Sequence, residues 1–292
     1  MNYKIASLEK FHSQETPTIF TSAGFNVDEF VSIDPNDRMP LLTYLEQANP
    51  HALLVGFKHR LDREALEKAP NLKVVATRST GLDHIDLVFC KEKDIEVLSL
   101  RGETDFLKEI PATAELTFLK MGELLRRDRH ELKGRVLGII GGRGRVGLQM
   151  CVFARTFDMK VIWSDKNRPL ESEWVLDEFA EIEDLLKKSD IISLHITADE
   201  ENRNFMDLEK FKLMKDGAYF LNSARGWLVD SESLEWALDN KLAGAWCDFN
   251  MGFEHPKLMW TDHQAGSTIE SWVNTEKFMA NKLVQYLLTL EL

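Results

Sequence analysis

Cysteine is scarce: the 292 residues hold three, Cys90, Cys151 and Cys247, far apart and each among apolar neighbours. So few thiols cannot build a disulfide framework, and no zinc spacing exists, so free thiols in a reducing compartment and no bound metal are expected. Basic residues are outnumbered, 36 Lys and Arg against 48 Asp and Glu, for a net charge of -12 at pH 7. A nucleic-acid surface needs the opposite balance. No apolar run approaches the ~18 residues of a membrane span. The opening MNYKIASLEKFHSQ has neither the basic start and apolar core of a signal peptide nor an arginine-rich amphipathic character. These absences lead to the expectation of a cytoplasmic protein with no membrane or nucleic-acid partner. Repeats, low-complexity tracts and Gly/Ser linkers are missing as well.

What is present is alternation. KIASL, TIFTSA, ALLVGF, LKVVATR and EVLSL read as strands, with helices expected over Pro40 to Ala48 and Asp62 to Ala69 between them. Strands alternating with helices imply parallel pairing, hence an α/β layered domain. A long helix is expected from Pro111 through RR at 126–127, with an apolar stripe of Leu116, Leu119 and Leu124. The alternation then restarts with RVLGIIG, MKVIWSD, DIISLHI, AYFLNSA and AGAWCDF, a second sheet. The amphipathic tail from Glu270 must bury its apolar face on one of the two domains.

The second sheet opens on a glycine turn. From Gly142, GRGRVG is G-x-G-x-x-G, directly after the strand VLGII and before the helical LQMCVFARTF. Each glycine meets a separate need, with a tight turn at Gly142, close backbone approach to a pyrophosphate at Gly144, and helix-to-strand packing at Gly147. The phosphates would lie on the amides that open the helix. Glycine-rich turns also serve packing alone, so the deciding residue is an acid about 20 residues on that can accept the ribose hydroxyls. Asp165, closing KVIWSD, is that acid and favours NAD over NADP, although Lys166 and Arg168 beside it could meet a phosphate. A P-loop is excluded, because no Gly-Lys-Ser/Thr ends the turn.

With LKVVATRSTGLDHIDL, ATAELT, LGIIGGRGRVG, SDIISLHIT, MKDGAYFLNSARGWLVDSESLEWAL, LAGAWCDF and HQAGST in this order, the chain resembles the D-2-hydroxyacid dehydrogenases from about Asn71 to Thr268. The resemblance implies two doubly wound α/β domains: a flavodoxin-like substrate domain, residues 1–110 and 271–292, and an inserted Rossmann NAD-binding domain, residues 111–270. It explains why a glycine turn starts nearly halfway along the chain. It also implies a homodimer joined through the NAD-binding domain and a small 2-oxo or 2-hydroxy acid as substrate.

The resemblance further assigns residues. Arg225 in NSARG matches the substrate-carboxylate clamp, a part suited to a rigid guanidinium fork. His263 in DHQAGST matches the group that gives and takes the proton on the C2 oxygen, for which an ordinary histidine pKa of ~6.5 is apt. Glu254 in GFEHP matches the acid that pairs with that histidine. Thr80 and Gly81 match a backbone loop that meets the substrate carboxylate. Arg145, Val146, Ile196, Thr197, Ser223, Ala224, Asp248 and Gly266 match cofactor contacts, with Asp248 near the nicotinamide amide. His195 and His255 read as strand-end and loop residues. Without these flanking motifs, a lone arginine after a strand is a surface ion pair and a lone histidine a solvated side chain.

Three departures stand out. The turn GIIGGRGRVG carries one residue more than the family's GIIGLGRIG, so Gly141 or Gly142 begins it. Glu254 and His263 are only nine positions apart, about half the family's spacing, and TDH replaces TPH. The segment SLRGETDFLKEIPATAEL is longer and more charged than usual, with Arg101 and Lys108 either solvating a loop or meeting a second anionic group. The reading is therefore an NAD-dependent enzyme that interconverts a 2-oxo acid and a D-2-hydroxy acid. Its alternative is an NAD(H)-binding sensor, corepressor-like, with weak or no turnover.

Overall fold

The computed structural model of the chain describes residues 3–30, 37–166 and 178–290; Arg168 lies outside them. The chain divides into two compact units, Met1–Leu107 with Thr268–Leu292, and Lys108–Ser267. In the first unit five strands, β1 (Lys4–Ser7), β2 (Asn26–Glu29), β3 (Ala52–Val55), β4 (Val74–Thr77) and β5 (Glu96–Leu98), pair in parallel in the order β2-β1-β3-β4-β5. This is the flavodoxin-like order. In the second unit β6 (Val136–Ile140), β7 (Lys160–Ser164), β8 (Glu178–Phe179), β9 (Ile191–Leu194), β10 (Tyr219–Asn222), β11 (Gly244–Cys247) and β12 (Leu258–Trp260) form one parallel sheet, ordered β12-β11-β10-β9-β6-β7-β8. The α/β, doubly wound fold is as expected.

The central strands β3, β4, β9, β10 and β11 are buried along their whole length, because helices cover both faces of a parallel sheet. The helix Ala112–Arg127 carries Glu115 in its first turn and Arg126 and Arg127 in its last, both favourable to its dipole. Its buried face is Ala114, Phe118, Met121, Leu124 and Leu125. The stripe read from the sequence is rotated from this face: Leu119 is 68% exposed.

TIFTSA, expected as a strand, lies mostly in the helix Glu15–Ser22. Its β-branched residues favour a strand locally, but Phe20 is fully buried in a cluster with Met279, Ala280 and Leu283 of the terminal helix Ile269–Thr289. Glu276 on that helix, 1% exposed, accepts from the Thr16 hydroxyl at 2.6 Å and the Ser13 amide at 3.2 Å. Tertiary packing of this kind overrides propensity. The terminal helix thus buries its apolar face in the first unit.

Candidate active site

In a doubly wound sheet, ligands bind beyond the carboxyl ends of the strands, where the strand order reverses. In the second unit that point lies between β6 and β9, and the glycine turn leaves β6 there. The left-handed residue is Gly141, at φ +88°, and a Cβ on it would lie 2.5 Å from the His195 carbonyl oxygen. The tight turn expected of Gly142 is therefore made one residue earlier. Gly142 lacks a side chain for another reason, since its Cβ would lie 2.7 Å from Cβ of the buried Trp163. The amides of both glycines donate to the Ser164 carbonyl, at 2.8 and 3.2 Å, which ties the turn to β7. The added residue is taken up in this turn.

Gly144 is the N-cap of the helix Arg145–Thr156 and offers no side chain to its first amides. A Cβ on Gly147 would lie 2.4 Å from the Gly141 carbonyl oxygen, so helix and turn are in backbone contact. This cradle fits a dinucleotide: first-turn amides point at anions, and Gly144 sets no side chain beside them. Asp165, at the end of β7, accepts from the Arg143 amide at 3.1 Å and so stands beside the turn. Arg145 sends its guanidinium to the Ile110 carbonyl, at 3.0 Å, and burial lowers its pKa. What Arg145 and Val146 can offer a cofactor here is backbone.

His195 has a larger part than its strand-end position suggests. Ser193 Oγ lies 2.8 Å from its Nε2 and Ser223 Oγ 3.5 Å from its Nδ1. Burial of the ring, with Arg145 nearby, pushes its pKa down to about 3. A neutral imidazole thus bridges the ends of β9 and β10, while the His195 carbonyl lies against Gly141. Ile196 and Thr197 follow it, half-buried and exposed.

Arg225 follows β10 and His263 follows β12, on either side of β11, and β10 and β11 are joined at their ends where the Asp248 amide donates to the Asn222 carbonyl at 2.9 Å. Asn222 is fully buried and closes the turn beyond it. Its Oδ1 accepts from the Ala224 amide at 2.9 Å and its Nδ2 donates to the Arg225 carbonyl at 2.8 Å. Arg225 Nη1 donates to the Ala224 carbonyl at 2.8 Å. Asp248, also fully buried, accepts from the Thr261 hydroxyl (2.6 Å) and the Gln264 and Ala265 amides (both 2.8 Å), while its carbonyl accepts from the His263 amide (2.9 Å). One residue thereby holds the loop on both sides of His263. His263 adopts φ +49°, a left-handed backbone that costs energy in a non-glycine residue and persists where neighbours over-determine it.

Phe249 lies against His263 and beside Gly226, the residue after Arg225. Its ring centroid lies 4.9 Å from that of His263, and a Cβ on Gly226 would lie 3.4 Å from Phe249 Cβ. Glu254 is not brought to the histidine. It is exposed, and among the described residues no hydrogen bond joins it to His263. The short segment between them leaves Asp248, not Glu254, as the acid that fixes the loop. Gly266 is exposed, 3.7 Å by its notional Cβ from Thr113 Oγ1. Phe249 and the bracing parts of Asn222 and Asp248 had no signature in the sequence, because the ring contact of the first and the backbone groups held by the other two are brought near only by the folded chain.

In the first unit, Thr80 and Gly81 lie just beyond β4. The Thr80 carbonyl accepts from Arg101 Nε at 3.4 Å and the Gly81 carbonyl from Ser79 Oγ at 2.6 Å. The longer segment after β5 folds into the helix Thr104–Lys108, with Phe106 stacked on Phe278 at 4.0 Å. Lys282 donates to Glu103 and, at 3.1 Å, to the Ser99 carbonyl.

A family model described as D-isomer specific 2-hydroxyacid dehydrogenase, NAD binding domain, matches residues 109–265. The chain is 31% identical over 285 residues to a glyoxylate reductase of Thermofilum pendens, covering 87% of this chain and 82% of the relative. It is 33% identical over 265 residues to an (S)-sulfolactate dehydrogenase of Chromohalobacter salexigens, covering 81% and 84%. Among solved structures, a D-lactate dehydrogenase of Aquifex aeolicus complexed with NAD and lactic acid matches with a TM-score of 0.75 at 25% identity, over 98% of this chain and 95% of that one.

Proposed function

The chain belongs to the D-isomer-specific 2-hydroxyacid dehydrogenase family, and on that premise we propose that it reduces a short 2-oxo acid to the D-2-hydroxy acid. It is an NAD-dependent oxidoreductase with NAD as its cofactor. No described helix is long and apolar enough to cross a membrane. The observation that supports the proposal is that Arg225 and His263 follow β10 and β12, the strands on either side of β11, with their loops held by a buried amide and a buried carboxylate, Asn222 and Asp248.

In this reading Gly142, Gly144 and Gly147, with the amides of Arg145 and Val146, hold the pyrophosphate, and Asp165 accepts the adenosine ribose hydroxyls. Ile196, Thr197, Ser223, Ala224, Asp248 and Gly266 line the cofactor's nicotinamide half. When bound, the reduced cofactor supplies the hydride. Arg225 clamps the substrate carboxylate with two parallel N–H donors, and the backbone at Thr80 and Gly81 is read as a further substrate contact. Orientation by such a clamp removes the entropic part of the barrier. His263 protonates the C2 oxygen as the carbonyl is reduced and takes the proton back in oxidation. Glu254 would serve only by approaching His263 in the loaded enzyme.

A homodimer through the NAD-binding domain is part of the proposal. Its support is the apolar surface of Leu119, Val152 and Phe157, each 48–68% exposed. The exposed Glu254 favours the second reading, a sensor that binds NADH and turns over poorly. NADH consumption with glyoxylate, hydroxypyruvate, pyruvate and 3-sulfopyruvate separates the two. Turnover on at least one is the expected result, with a D product by chiral chromatography for any of the three that give a chiral acid, glyoxylate giving achiral glycolate; tight NADH binding with no turnover on any supports the sensor.

A further inference from the structure

We propose that His84, Thr77 and Ser79 form a one-directional hydrogen-bond relay that aims the amides of Thr80 and Gly81 at the substrate carboxylate. The inference rests on the reading of that loop as a substrate contact. His84 Nε2 lies 3.0 Å from Thr77 Oγ1, Thr77 Oγ1 lies 3.2 Å from Ser79 Oγ, and Ser79 Oγ donates to the Gly81 carbonyl at 2.6 Å. A carbonyl only accepts, and each hydroxyl has one proton. The Ser79 proton is committed to Gly81, so Ser79 Oγ accepts from Thr77, and Thr77 Oγ1 accepts from His84. The direction of every bond is thereby fixed, and His84 carries its proton on Nε2. Thr77 is fully buried and His84 8% exposed, so water does not compete at the inner end.

The relay is one of three anchors on successive peptide planes. The Ser79 carbonyl accepts from the Leu100 amide at 3.1 Å, the Thr80 carbonyl from Arg101 Nε, and the Gly81 carbonyl from Ser79. In a planar trans peptide the N–H points opposite to its C=O. Holding these carbonyls toward the protein therefore turns the amides of Thr80, Gly81 and Leu82 the other way. Among the described residues these three amides donate to no protein acceptor. Consecutive outward amides make a concavity suited to a carboxylate. Thr77, Ser79 and His84 themselves touch no substrate; they are positioning residues.

The test compares Thr77→Val, Thr77→Ser and Ser79→Ala with the wild type, reading KM for the oxo acid, kcat, the NADH dissociation constant and the melting temperature. Loss of the relay removes binding made equally in ground and transition states, so Thr77→Val and Ser79→Ala should raise KM about tenfold with kcat within about twofold. NADH affinity should not change, and Thr77→Ser, which keeps the hydroxyl, should restore KM. Wild-type KM in both Thr77→Val and Ser79→Ala overturns the relay and leaves the reading of the site intact. A parallel loss of kcat, KM and NADH affinity that Thr77→Ser does not rescue also overturns it. If Thr77→Val does not fold, Ser79→Ala decides alone. A wild type without turnover on any oxo acid overturns the reading of the site itself, and the relay with it.

Discussion

The glycine turn and the histidine loop both leave carboxyl ends of the same parallel sheet, yet they are built on opposite principles. The turn after β6 works by what it lacks. Cβ atoms on Gly141, Gly142 and Gly147 would fall 2.4 to 2.7 Å from neighbouring atoms, two of them backbone oxygens. The loop after β12 works by one side chain: the Asp248 carboxylate accepts three bonds, two of them from the amides that follow His263. Close packing of bare backbone leaves room for an anion and tolerates no added atom. A carboxylate anchor tolerates small changes of shape but not loss of charge, because its buried donors would then be left unmatched.

The widest separation between the two regions is expected from Gly147→Ala. The backbone in contact there cannot yield, so stability should fall by about 2–3 kcal/mol and NADH affinity by ~100-fold or more. Calorimetric melting and fluorescence titration with NADH check both. Asp248→Asn should instead fall mainly on turnover. Displacing His263 by ~1 Å lowers kcat about 100-fold while NADH affinity changes by less than about tenfold. An equal loss of both would mean that Asp248 acts mainly by binding the cofactor and that its hold on the loop matters little.

His195 stands beside the glycine turn, and pH reaches it. Its cation is disfavoured in the folded chain, with a pKa of about 3, whereas the unfolded chain titrates near ~6.5. Its contribution to stability is therefore complete above about pH 6.5 and is lost as pH falls toward about 3. From neutral pH to about pH 5 the wild type should lose about 2–4 °C more in melting temperature than His195→Gln, whose amide stays neutral. The smallest effect is expected at Glu254. Exposed and unjoined to His263 among the described residues, its replacement by Gln should change kcat by less than about threefold, on the scale of a surface substitution. A loss of 100-fold would mean that Glu254 reaches the histidine in the loaded enzyme.

How legible these regions are in the sequence follows from how they are built. The glycine turn is local: strand, glycines, helix and acid fall within 30 residues, and each residue type reports its own constraint. The buried strands β3, β4, β9, β10 and β11 are equally plain, because runs buried on both faces are apolar throughout. The edge strands β2, β8 and β12 are short and hold no fully buried residue, so their residues carry no such pattern. Thr18 to Ala23 misled because its helix is stabilised by the terminal helix some 260 residues away, as with Thr16 on Glu276. Asn222 and Asp248 look like unremarkable strand-end polar residues until the backbone amides they hold are seen. The same holds for Thr77, Ser79 and His84, whose meaning lies in the order of their bonds.

The most direct measurement is NADH oxidation by His263→Gln, on whichever 2-oxo acid the wild type reduces, beside NADH binding by the same variant. Unchanged NADH affinity is expected, with a kcat lower by ~10²–10⁴-fold, the usual contribution of a positioned proton donor. A variant that turns over at the wild-type rate would contradict this, since the loop that Asp248 holds would then present nothing to the reaction.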